Sequence, residues 1–176
     1  LGVASEYVVH GLARSLGEPV VTGSLGFGFG EGWLVAARAS TMNLNVGPGP
    51  SRELGLYLGH NRAISEDWEL GGSIARYEYW RNTEFLPYDY TEATLEATWR
   101  SQVRLRLQYS PDYSLISRRG PAREFDTWTG ELQFNYPVDP GISLAAAVGY
   151  YDLSAGFGQG YFFWSCGVVR ARAFAK

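Results

Sequence analysis

The sequence predicts one all-β domain over residues 1–176: a transmembrane, antiparallel, up-and-down β-barrel of about ten strands, or twelve if the chain continues. Three observations lead there. Long segments alternate strictly between polar and apolar residues, the connections alternate between short and long, and aromatic residues gather on the apolar parity beside the turns. Alternate side chains of a strand point to opposite faces, and helical periodicity is hard to find anywhere.

Ten segments carry the two-residue period, at about 3–14, 19–29, 33–44, 53–62, 68–80, 89–99, 102–110, 125–136, 141–152 and 160–174. The first puts Glu6, His10 and Arg14 on one parity. In the second, Val21, Leu25, Phe27 and Phe29 oppose Thr22, Ser24, Gly26 and Gly28. In the third, Trp33, Val35, Ala37 and Ala39 oppose Arg38 and Ser40, and in the fourth Leu54, Leu56 and Leu58 oppose Glu53, Gly55 and Tyr57. The fifth sets Glu69 inward, while Arg76 and Glu78 fall on the outward parity near the long-loop rim, where they reach headgroups. The sixth and seventh are the clearest. Glu92, Thr94, Glu96 and Thr98 alternate with Ala93, Leu95, Ala97 and Trp99, and Gln102, Arg104, Arg106 and Gln108 alternate with Val103, Leu105, Leu107 and Tyr109. The eighth opposes Trp128, Leu132, Phe134 and Tyr136 to Thr127, Thr129, Glu131, Gln133 and Asn135. The ninth carries Tyr150. The tenth places Arg170 and Arg172 inward and Cys166 as a small packed side chain.

The connections at 30–32, 63–67, 100–101 and 137–140 are short, and those at 45–52, 81–88, 111–124 and 153–159 are longer and rich in Gly, Pro or charge. Short turns at one rim and long loops at the other is the outer-membrane pattern. Phe29, Trp33, Trp68, Trp99 and Tyr136 adjoin short turns on the apolar parity, and Tyr109, Trp128 and Tyr150 sit near the long-loop rim. Amphipathic rings favour both interfaces because one edge stays wet. A soluble sandwich or lipocalin-like barrel also alternates, but strands of nine to thirteen residues exceed the soluble average of roughly five or six. The connection after Trp99 must hold an odd number of residues, or an outward side chain would pair with an inward one. Glu96 then comes within ion-pair reach of Arg104 or Arg106.

Composition excludes several classes. A net charge of −3 with no polybasic tract gives no nucleic-acid footprint. Cys166 is the only cysteine, so no internal disulfide or multi-cysteine metal site exists. Mean hydropathy is −0.17, no stretch approaches a membrane helix, and a barrel keeps near-average hydropathy because half its residues face the lumen. The chain starts inside a strand-like segment with no signal peptide, as a mature or trimmed product does. No cofactor or metal is expected.

Several stretches in order resemble the TorF family of porin-like proteobacterial outer-membrane barrels: Ser5-Glu6-Tyr7 with His10-Gly11-Leu12, Asp89-Tyr90-Thr91-Glu92, Tyr109-Ser110-Pro111-Asp112-Tyr113, and Gly149-Tyr150-Tyr151-Asp152. The Tyr-Ser-Pro-Asp-Tyr run is the most specific, and together they cover about residues 5–152. The resemblance implies an outer-membrane location and a channel role, and transfers no catalytic set. Similar chains continue beyond the segment matching Tyr161–Arg170, so ten strands or twelve both fit.

The inward parity collects Glu6, His10, Arg14, Arg38, Glu53, Glu69, Glu92, Glu96, Arg104, Arg106, Glu131, Arg170 and Arg172. Either these form an electrostatic eyelet for small polar solutes, or they satisfy one another as an ion-paired filling. Ten strands leave at most a narrow passage, which favours the filling. His10 reads as an interior hydrogen-bonding group rather than a general base beside Glu6. Asp112, Glu124 and Asp126 read as partners of Arg118, Arg119 and Arg123 rather than as cation ligands. No Ser-His or Asp-His arrangement marks an enzyme. The expectation is a narrow channel for small polar solutes, or else a non-conducting barrel that docks another envelope protein, with outer-membrane lipid and lipopolysaccharide as surroundings.

Overall fold

The computed structural model describes residues 1–43, 51–81, 84–114 and 124–170. Its strands are β1 Gly2–Ala4, β2 Val8–Val9, β3 Leu12–Ala13, β4 Val20–Phe29, β5 Trp33–Met42, β6 Ser51–Ala63, β7 Trp68–Arg81, β8 Glu84–Trp99, β9 Val103–Ser114, β10 Glu124–Asp139, β11 Ile142–Asp152 and β12 Tyr161–Arg170, with one helical turn, α1 Ser154–Phe157, before β12. All but β2 and β3 form a ten-stranded antiparallel sheet in the order β1-β4-β5-β6-β7-β8-β9-β10-β11-β12. From β4 onward each strand pairs with its successor, which is the up-and-down connectivity that the short turns require. The sheet is not closed. Among the described residues β12 pairs only with β11, and β1 covers only Val20 to Thr22 of β4.

The turns show why the register is fixed. Trp99 pairs with Val103 across residues 100–102, the odd-numbered loop that the parity demanded. Arg100 and Ser101 take φ of 49° and 57°, a left-handed pair that β-branched residues resist. Arg100 is anchored there by two hydrogen bonds to Asp67 at 2.8 and 3.2 Å, and its guanidinium lies over the Trp99 ring. That contact also holds the exposed Asp67 carboxyl below its ordinary range.

The first expected strand, 3–14, is a correction. Only Gly2–Ala4 joins the sheet, and residues 8–13 form the separate hairpin β2–β3. The cause lies in the backbone: His10, Gly11, Leu16 and Gly17 all take positive φ, so the chain folds back twice before β4. This segment packs on the inner side of the curved sheet. Tyr7, His10 and Arg14 touch side chains from β5, β6, β7, β9, β11 and β12.

Burial is inverted along most of the sheet. Leu25 (82% exposed), Phe27, Leu56, Leu58, Ile74, Leu95, Leu105, Leu107 and Leu144 face outward, whereas Glu53 (2%), Glu92, Ser40, Thr127 and Thr129 are buried. The buried apolar cluster is confined to the long-loop end: Met42, Tyr79, Tyr90, Tyr113, Tyr151 and Leu153. Several strands are longer than expected, β8 and β10 reaching 16 residues each. Their extra length builds that end.

Gly32 tests the turn geometry. Its φ is +88°, and a Cβ there would overlap the carbonyl oxygen of Asn61 on β6. Gly32→Ala is therefore expected to cost on the order of 2 kcal/mol, from backbone strain and displacement of the β5–β6 rim. A urea unfolding midpoint equal to wild type would contradict this account of the turn.

Candidate functional site

The interior has two storeys. The lower, towards the short turns, is polar and only partly filled. Glu96 on β8 stands opposite Arg106 on β9 and accepts from its Nε and Nη2 at 3.0 and 2.9 Å, while Arg104 Nε approaches from the turn side at 3.2 Å. One carboxylate thus serves two guanidiniums, where parity alone required only one of them. Glu92 accepts from Gln108 at 2.7 Å, Glu131 from Gln133 at 3.0 Å, and Arg38 lies over the Tyr7 ring at 5.0 Å. Two cavities open among these groups. One of about 420 Å³ lies beneath the N-terminal hairpin, and one of about 520 Å³ reaches the short-turn rim. They share Glu131, Gln133 and Ser165.

The upper storey is packed solid by the N-terminal segment and tyrosines. Arg14 donates from Nη1 to the Tyr79 hydroxyl at 3.2 Å and from Nη2 to the Tyr113 hydroxyl at 2.9 Å. The Tyr79 and Tyr7 hydroxyls both donate to Glu53, at 2.8 and 3.0 Å. Tyrosine rings continue from strand to strand: Tyr57, Tyr77, Tyr90, Tyr113, Tyr151 and Tyr161, with successive centroids 4.7 to 6.1 Å apart. His10 sits edge-on to Tyr151 at 4.8 Å and bonds Gln108 at 3.1 Å, and its carbonyl accepts from Tyr161 at 2.8 Å. Ser15, which shows no exposed surface, accepts from the Tyr7 N–H and so holds the segment in its fold.

The expected site residues sort accordingly. His10, Arg38, Glu53, Glu92, Glu96, Arg104, Arg106 and Glu131 are interior, and Glu69, on the same parity, is exposed at the short-turn mouth. Glu6 is exposed. Arg170 is a correction: it shares the outward parity of Trp164 and Val168, because the alternation of β12 runs from Trp164 in steps of two. Cys166 falls on that parity too and is exposed rather than packed. Arg172, Arg118, Arg119 and Arg123 lie outside the described residues. Asp112 pairs with Arg76, at 2.9 Å, and Asp89 joins the same guanidinium. Of the aromatic rings, Trp33 and Trp68 are exposed beside short turns, Phe29 stacks on Trp33, Tyr136 is exposed, Trp99 stands opposite Trp68, and Tyr109 lies against Trp128 with Tyr150 a strand away.

The reading by charge missed the tyrosine collar. Its signal was present: Tyr77, Tyr79, Tyr90, Tyr113 and Tyr151 each stand one residue from a charged residue of the outward parity.

The two storeys should respond differently to deletion. Arg14→Ala leaves Tyr79, Tyr113 and buried Glu53 without their cation and is expected to cost on the order of 3 kcal/mol. Arg106→Ala, in a pair whose side chains keep 22–28% exposure, should cost about 1 kcal/mol, and Arg104→Ala less because it is more exposed. Heat-induced unfolding followed by gel mobility ranks the three. An Arg104 effect larger than that of Arg14 would contradict the assignment.

No curated protein and no solved structure matches the chain. A family profile does match, over residues 1–175. The chain belongs to the Gcw_chp family, bacterial proteins of unknown function.

Proposed function

We propose that this chain is a bacterial outer-membrane β-barrel for small polar solutes whose lumen is shut towards the long-loop rim by its own residues 5–18. The observation that carries the reading is the inverted burial: leucines, valines and aromatics cover the outside while carboxylates and guanidiniums sit inside. Water gives no reason to build a sheet that way, and lipid does. The dimensions agree. Trp128 and Tyr136 bracket the apolar band on β10 eight residues apart, roughly 27 Å along a strand and roughly 20 Å at a tilt of about 40°.

Closure into a barrel is part of the proposal. Unpaired backbone is not tolerated in hydrocarbon, so the free edges of β12 and of β4 beyond Thr22 need partners. The N-terminal segment supports their approach, because it is continuous with β1 and β4 and is bonded to β12 through Tyr161. In this state the lumen admits solutes from the short-turn rim and ends blind at the collar. The second reading, a non-conducting barrel that docks another envelope protein, draws on the same packed collar.

Planar bilayers separate the two. Wild-type protein is expected to insert with little or no conductance. Replacing residues 5–18 by a two-residue Gly-Ser turn keeps Ala4 and Val20 paired and should produce discrete conductance steps. Silence from an inserted, heat-resistant variant would leave the docking barrel as the surviving reading. A large steady wild-type conductance would refute the shut lumen.

A further inference from the structure

The cavity beneath the N-terminal hairpin presents charged groups that the protein leaves without a direct ion-pair partner. Among the described residues the Arg38 guanidinium forms no ion pair with a carboxylate; it lies over the face of Tyr7. Its Nε is enclosed with no hydrogen-bond acceptor. Glu131 receives only the Gln133 amide and forms no ion pair among the described residues. Both line the same space of about 420 Å³, Arg38 from β5 and Glu131 from β10. His10 adds a third unused group. Its neutral ring donates Nε2–H to the Gln108 oxygen, which leaves Nδ1 as an enclosed acceptor with no donor. Among the described residues, two of the three enclosed polar atoms without a partner thus belong to residues lining this one cavity.

Charge balance decides the ligand class. Arg104 and Arg106 share Glu96 and leave one net positive charge, Arg38 adds another, and Glu92 and Glu131 offset both. A lone anion or a lone cation would spoil that balance in a confined interior, whereas a molecule carrying both charges completes it. The size suits a small solute, and Tyr77, Tyr90 and Phe163 supply apolar wall.

The geometry points to a binding site for a small zwitterion of amino-acid to dipeptide size, its carboxylate on Arg38 and its ammonium on Glu131. The site lies on the path from the short-turn rim, and as a solute site it rests on the reading of the lumen as a route for small polar molecules. Binding would place the ligand directly against Tyr7 and His10, the residues that fix the plug.

Isothermal titration of the detergent-folded full chain with L-alanyl-L-alanine tests it, with acetate and ethylammonium as single-charge controls. Saturable 1:1 binding of the dipeptide is expected, with neither control binding measurably. Arg38→Gln and Glu131→Gln should each weaken it at least tenfold while the protein keeps its heat resistance. No saturable heat from the wild type, or equal affinity in both variants, overturns the site. Dipeptide binding by a protein that fails to enter bilayers would keep the site and remove the membrane reading. A protein that inserts but ignores the dipeptide would do the reverse.

Discussion

The rest of the molecule depends on one guanidinium among phenols. Arg14 reaches Tyr79 on β7 and Tyr113 on β9 from a segment that belongs to neither, and Glu53 on β6 returns the charge through Tyr79 and Tyr7. A charge taken into a confined interior is tolerated only when its donors and acceptors are met. Meeting them requires that the strands curve inward and that residues 5–18 stay folded back. The hydrogen bonds that satisfy Arg14 are the ones that hold this segment against the inner side of the sheet.

Much of the architecture was legible because parity is a strict constraint. Once Trp99 is outward and Glu96 inward, only an odd loop is possible, and Glu96 must meet Arg106 or Arg104; it meets both. The same logic placed Trp33, Trp68 and Trp128. It failed where a second constraint took over. Residues 3–14 alternate well enough to be read as a strand, but positive φ at His10 and Gly11 turns the chain, and those polar side chains are better satisfied across the interior than along a ladder. Arg170 was placed inward, whereas counting in steps of two from exposed Trp164 puts it outward.

The tyrosine collar marks a change of rule along each strand. On β7, Ile74 faces outward and Ser73 inward, and two steps later Arg76 and Glu78 face outward while Tyr77 and Tyr79 face inward. On β10 and β11 the change falls above Trp128 and Tyr150, where Asp126 and Asp152 turn outward and Thr127 and Tyr151 inward. The strands continue unbroken, yet below the line apolar groups face out and above it they face in. The change divides these strands into a lower length with apolar groups outward and an upper length with tyrosines inward.

That boundary also explains the cluster of Arg76, Asp89, Asp112 and Thr91. Arg76 stands opposite Thr91, just above the level of Ile74, Ala93, Tyr109 and Trp128, which align across β7 to β10. Arg76 donates to Thr91 and Asp112, and Asp112 also accepts the Thr91 N–H at 2.7 Å. At this height the ion pairs tie β7, β8 and β9 together on the outside, level with the tyrosines that tie them together within. The collar is clamped on both faces, by ion pairs outside and by the hydrogen bonds of Arg14 to two phenols inside.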